Sequence, residues 1–194
     1  MLVIVSELLA LSMNTDISLL AAARTMNRDA LVRIFDLYSR SLYGYALRLC
    51  SDPTIADYIV GDVFAKLLEQ LSIGQGPTTN LRSYLYEATY HLVVDDARYS
   101  HRGVPLETID DSPQYGRLSQ HVNFERGVIY ENVLYAIRNE LTADQRHVIV
   151  LRFLEGFSLR ETAVIMGKNV SNVKVIQNRA IAALRKALDY LVVS

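Results

Sequence analysis

The sequence predicts an all-α protein built as two helical domains on a linker, and three observations predict it. Apolar residues recur at steps of three and four along most of the chain, the period of a helix that buries one face. Helix-starting patterns, a capping residue before Pro or three residues ahead of Glu or Gln, stand where those stripes begin. One interval of roughly twenty residues, from His101 to about Asn123, carries neither signal and reads as the tether.

Composition bounds the rest. With 194 residues, 51% of them hydrophobic and only 4 Pro and 9 Gly, the chain is excluded from the disordered and collagen-like classes. A lone cysteine, Cys50, rules out an internal disulfide framework and a Cys-rich zinc site, and it suits a reducing, cytoplasmic setting. His91, His101, His121 and His147 fall in no metal-ligand spacing, so neither a metal nor a cofactor is expected. The net charge of −1 argues against bulk electrostatic attraction to nucleic acid. Yet Gly127 to Ser194 holds nine basic against six acidic residues, a surplus of three, which leaves the remainder at −4. Such polarity fits one end that meets phosphate and another that meets protein.

The first residues, Met1 to Leu11, are apolar but include Glu7 and no basic lead-in. They are too short for a bilayer and poor as a secretory signal, so no membrane is expected. Residues 1–15 read as an extension, either a helix packed on the body or a segment ahead of a true start at Met13. From 16 to 100 the pattern is a helical bundle. Leu31, Ile34, Phe35, Tyr38, Leu42, Tyr45, Ala46 and Leu49 form one stripe. Asp52-Pro53 then opens a second helix, with Asp as N-cap and Pro at the first position, striped by Ile55, Ile59, Val63, Leu67 and Leu71. The run from Ser72 to Asn80 is loop by composition, and Leu81, Leu85, Ala88 and Leu92 begin a third helix.

Beyond the linker, placed at 101–126, the segment 127–194 carries the densest signals. Thr142 to Gln145 and Ser158 to Glu161 are capping boxes, opening one helix through Phe153 and a shorter one through Met166. Gly167 supplies a left-handed helix end and Asn169 a new cap, and Val173, Ile176, Ala180, Ile181 and Leu184 run as the next stripe. Two helices across a short Gly turn, with small Ala163 at their crossing, make a helix-turn-helix. In that unit the second helix enters the major groove. The stripe leaves Ser171, Asn172, Lys174, Val175, Asn178 and Arg179 facing outward. Lys174 and Arg179 suit phosphate or guanine, Asn178 adenine, Val175 a thymine methyl, and Ser171 and Asn172 a phosphate at the helix start.

At this point the chain resembles a known family. Leu141 to Arg146, Val148 to Ala163, Val173-Lys174 and Arg179-Ala180 are similar to region 4 of bacterial sigma factors. Phe35 to Tyr38, Leu42-Tyr43, Ala56 to Phe64 and Leu81 to Tyr86, continuing to Asp95 and Arg98, resemble region 2. Two regions on a short linker is the layout of the extracytoplasmic-function branch. The resemblance implies an alternative sigma factor rather than an enzyme, with core RNA polymerase and promoter DNA as partners and an anti-sigma factor as a further one. Carried over by position, it implies contact with the polymerase clamp at Asp57, Tyr58, Gly61, Asp62 and Phe64. Opening of the minus-ten element falls on the loop Ser72 to Asn80 and on Tyr84, Tyr86, Tyr90, His91 and Arg98, whose rings and cation suit unstacked bases and backbone. Recognition of the minus-thirty-five element falls on the six outward positions of the second helix. The chain departs from the family where Tyr58 and Gly61 replace a carboxylate and an amide, where Tyr84 replaces Trp, and where His91 replaces Asn.

Other features read blandly. Cys50 ends an apolar stripe as a small hydrophobe, and Asp95-Asp96 lack any companion nucleophile or glycine-rich loop. Two alternatives stay open at the level of sequence: a free-standing, dimeric helix-turn-helix regulator and a sigma-like interaction scaffold without DNA contacts.

Overall fold

A computed structural model describes residues 17–100 and 124–192, with side chains described at 17–98 and 132–189. The N-terminal extension and most of the linker lie outside the described residues. The described part is helical throughout: α1 (17–24), α2 (Arg28–Cys50), α3 (Pro53–Ser72), α4 (Leu81–Ser100), α5 (Phe124–Asn139), α6 (Ala143–Ile149), α7 (Leu159–Ile165) and α8 (Val170–Val192). No helix among them is long and apolar enough to cross a membrane.

Local chemistry sets the ends of these helices. The Asn27 side chain accepts from the Ala30 N–H to start α2, and Ser51, in the left-handed conformation at φ +61°, ends it. Asp52 then accepts from the N–H groups of Thr54 and Ile55 at 2.8 and 3.1 Å, while Pro53 occupies a position whose N–H needs no partner. The two long helices turn back on each other through this two-residue connection. Ile34, Tyr38, Leu42 and Tyr45 of α2 are buried with Ile59, Val63, Leu67 and Leu71 of α3. The Phe35 and Phe64 rings meet at 4.8 Å.

Both capping boxes form as the sequence predicts. Thr142 and Gln145 exchange side-chain and backbone bonds at the start of α6, and Ser158 and Glu161 do so at the start of α7. Gly167 closes α7 at φ +60°, and Asn169 accepts from the Asn172 N–H at 2.7 Å to open α8. Ala163 is buried where α7 and α8 cross.

Three expectations are corrected. The helix expected to run regularly from Thr142 through Phe153 is α-helical only to Ile149. Val150–Leu154 then widens into a π-turn, in which the Glu155 N–H reaches the Val150 carbonyl. Gly156 at φ +74° and the bond from the Phe157 N–H to the Leu151 carbonyl finish that turn, keeping Val150 and Leu151 buried while Phe153 and Leu154 emerge. Secondly, α5 is already helical from Phe124, inside the interval assigned to the linker. Thirdly, α4 buries more than the expected stripe: Tyr86, Thr89, Tyr90 and Val93 join Leu81 and Leu85, whereas Ala88 and Leu92 are half-exposed. The reason is long-range. One side of α4 packs on α2 and α3, and another is covered by α7.

Candidate nucleic-acid interface

The helix-turn-helix presents its second helix freely. Ser171, Asn172, Lys174, Val175, Asn178 and Arg179 are all exposed, on the side of α8 opposite buried Val173 and Ala180. The first turns of a 23-residue helix thus offer two cations, two amides and an apolar contact to one surface. Behind them, Arg152 holds the unit together: its Nε donates to Gln177 Oε1 of α8 at 3.0 Å, and its Nη1 donates to the Phe157 carbonyl.

The minus-ten candidates have mixed fates. His91 and Arg98 are exposed, Arg98 paired with Asp95 at 3.2 Å. Tyr84 is half-buried at the edge of a cleft of about 520 Å³, whose walls are the 76–80 loop and the start of α4 on one side and Arg160, Glu161 and Val164 of α7 on the other. Burial raises the Tyr84 phenol pKa, with Glu87 adding to the shift. Tyr90 is not open. It is 8% exposed, and its ring packs edge-on against His147 of α6 with centroids 4.7 Å apart. In this arrangement Tyr90 offers no face to a base, because the C-terminal half of the chain occupies it.

That occupation is an interface the sequence did not announce. From α2 and α4, Arg48, Arg82 and Tyr86 converge on the turn after the π-turn. The Tyr86 hydroxyl donates to Glu155 Oε2 at 2.5 Å, and Arg48 pairs with Oε1 at 3.5 Å. Arg82 donates to the Glu155 carbonyl and stacks its guanidinium 3.9 Å from the Phe157 ring centre. Beside this cluster Tyr45 Oη and His147 Nδ1 are hydrogen-bonded at 2.9 Å. His147 is 3% exposed, and burial pulls its pKa down to about 4, against an opposing pull from Asp144. A neutral imidazole is therefore what the interface holds. One sequence signal pointed here: Arg82, Tyr86 and Tyr90 fall at four-residue steps, a second row on α4 that a three-helix bundle has no use for.

The predicted clamp face on α3 is a coherent strip with one exception. Tyr58, 61% exposed, and Gly61 stand in solvent, with Asp57 and Asp62 half-buried at their flanks. The spacing of 57, 58, 61 and 62 puts all four along one side of the helix. Partial burial raises the Asp57 carboxyl pKa. Phe64 is the exception: it is 8% exposed with its ring on Phe35, so it supports the strip from inside. Gly61 is helical with open space around it, and a side chain there would meet nothing within 4 Å.

Comparison with known proteins fits this geometry. Residues 139–186, the segment holding both capping boxes and most of α8, match the family model for sigma-70, region 4. Over 162 residues the chain is 30% identical to the ECF RNA polymerase sigma factor SigX of Bacillus subtilis, covering 81% of this chain and 83% of that one. Among solved structures, the sigma factor RpoE from Bartonella quintana, crystallised with the anti-sigma factor NepR, superposes with a TM-score of 0.60 at 26% identity. The match covers 81% of this chain and 95% of RpoE. CnrH, solved in complex with the cytosolic domain of CnrY, shares the fold with a TM-score of 0.67 over 90% of this chain and 97% of CnrH, at 23% identity.

Proposed function

Because the chain belongs to the extracytoplasmic-function RNA polymerase sigma factors, we propose that α3 carries its grip on core polymerase, α8 its reading of the minus-thirty-five element, and α4 with the 73–80 loop its opening of the minus-ten element. As an alternative sigma factor the chain directs transcription initiation. It acts as a subunit, by binding, and carries no reaction of its own. Its place is the cytoplasm, with the polymerase it serves. An anti-sigma protein is a further partner in this reading, supported by the Bartonella relative, which was solved with NepR.

The observation that carries the division of labour is the exposed six-residue face of α8 behind a fully capped α7. It supports DNA contact by side chains that no packing demand explains. The strip on α3 supports polymerase contact in the same way, since it sets a 61%-exposed tyrosine between two half-buried carboxylates.

Co-elution of the purified protein with core polymerase from its own host, followed by run-off transcription on promoter libraries, tests the reading. A stoichiometric complex that initiates at a shared promoter motif is expected. A free homodimer that binds a palindrome and ignores polymerase overturns it.

A further inference from the structure

We infer that Arg24 is a positioning residue for promoter opening, holding the loop between α3 and α4 in the shape that receives an unstacked strand; the inference rests on the reading of that loop as part of the minus-ten surface. The guanidinium reaches across from α1. Its Nη2 donates to the Gly74 carbonyl at 3.1 Å, and its Nη1 donates to the carbonyls of Pro77 at 3.3 Å and Gly76 at 3.4 Å. Among the described residues, every hydrogen bond of Arg24 goes to this one loop.

The loop's own conformation makes those carbonyls available. Gly74 at φ +75° and Gly76 at φ +98° turn the backbone inward, a geometry that side-chain-bearing residues rarely take. At Gly76 a Cβ would meet Leu71 and Gln70 in ordinary contact at 3.4 and 3.5 Å, so the positive φ rather than lack of space is what calls for glycine. Three carbonyls aimed at one point need a donor with several N–H groups in a fixed plane, and arginine supplies it where lysine offers a single compact charge. With the inner side pinned and Pro77 buried, Thr78, Thr79 and Asn80 are left exposed on the outer side, bordering the cleft beside Tyr84. Arg24 does not line that cleft, whereas Gly76 and Pro77, which it holds, do. It acts through the loop, not by touching DNA.

The test compares Arg24→Ala and Arg24→Lys with the parent chain by two readouts. Amide hydrogen exchange of the free full-length protein reports the loop, with α2, α3 and α8 peptides as internal controls. Opening is read in the reconstituted holoenzyme, from 2-aminopurine fluorescence in the minus-ten element of duplex promoter and of a pre-opened template. For Arg24→Ala, loop exchange about tenfold faster is expected, with the control peptides unchanged and duplex opening reduced about tenfold. Arg24→Lys should fall between, and millimolar guanidinium should restore part of the Ala variant's opening. The pre-opened template should be largely indifferent to the change. Unchanged loop exchange in both variants overturns the positioning role. Faster loop exchange with undiminished duplex opening overturns the assignment of the loop to the strand while leaving its attachment to Arg24 intact. Should the Ala variant fail to fold, the Lys variant carries both readouts.

Discussion

Lys174 and Arg179 lie exposed near the start of α8, and nothing in the packing of α7 against α8 depends on them. Replacing either by Ala is therefore expected to cost about 1–3 kcal/mol of promoter affinity if it pairs with a base, or to lower the salt slope by about one if it pairs with phosphate. Thermal denaturation should move little, and a melting shift as large as the binding loss would show a structural role instead. Gly61 offers the opposite experiment. Its place mid-helix costs about 1 kcal/mol relative to Ala, and the space around it is open. Gly61→Gln should raise the melting temperature by about 2–4 °C and should not weaken co-elution with core polymerase. His147 gives a pH signature. Its pKa is depressed to about 4 in the folded protein against an ordinary value of 6.5, so its contribution is full above about pH 6.5 and is lost as pH falls from there towards 4. The loss approaches roughly 3 kcal/mol. Melting temperature measured across that window should drop, and His147→Gln should flatten the slope whatever its absolute stability.

At the scale of the element, the capped starts matter most. Ser158→Ala removes the acceptor for the Glu161 N–H and should destabilise the C-terminal half by about 1 kcal/mol, read by chemical denaturation. The Ser158 hydroxyl and backbone N–H hold the Glu161 carboxyl below its usual pKa, so part of that contribution fades as the solution is acidified. These starts could be read from sequence because a cap is a four-residue affair: Asp52, Thr142, Ser158 and Asn169 each meet their donors within three positions. The exposure of the six α8 positions was readable for a related reason, since outward positions follow once the buried stripe of one helix is known. What escaped reading depended on distant partners. Phe64 and Tyr90 look alike on paper to any aromatic beside a functional strip, and only Phe35, 29 positions away, and His147, 57 away, decide that both are buried. The π-turn at 150–154 likewise answers to Gly156 and to Arg152 folding back on Phe157, a conjunction with no periodic signature. Arg24 is quieter still, a single cation whose meaning lies 50 residues downstream.

For the whole molecule, the governing fact is that the two halves share a face of α4. Glu155 accepts from Tyr86 and Arg48 with its carboxylate and from Arg82 with its main-chain carbonyl, so Glu155→Ala removes the two carboxylate bonds and leaves the Arg82 bond in place. The expected result is a larger radius of gyration by small-angle scattering, with the helix content by circular dichroism unchanged. The same variant should bind a single-stranded minus-ten oligonucleotide more tightly, because Tyr90 and the cleft beside Tyr84 come free when α6 and α7 move away. An unchanged radius would show that the Tyr45–His147 pair, the Arg82–Phe157 stack and the Arg82 bond to the carbonyl of residue 155 hold the halves together without the carboxylate. Full separation would then need His147 charged as well, which the acid window supplies.

Tyr90 cannot face His147 and a nucleotide base at once. Whatever the intrinsic grip of the aromatic surface on a melted strand, the grip observed is that value multiplied by the fraction of molecules standing open. A closed state favoured a hundredfold makes the free subunit about a hundredfold poorer at seizing stray single strands. In the proposed reading, polymerase binding that separates the halves removes this handicap. On that reading, silence away from the enzyme rests on the competition for one tyrosine ring.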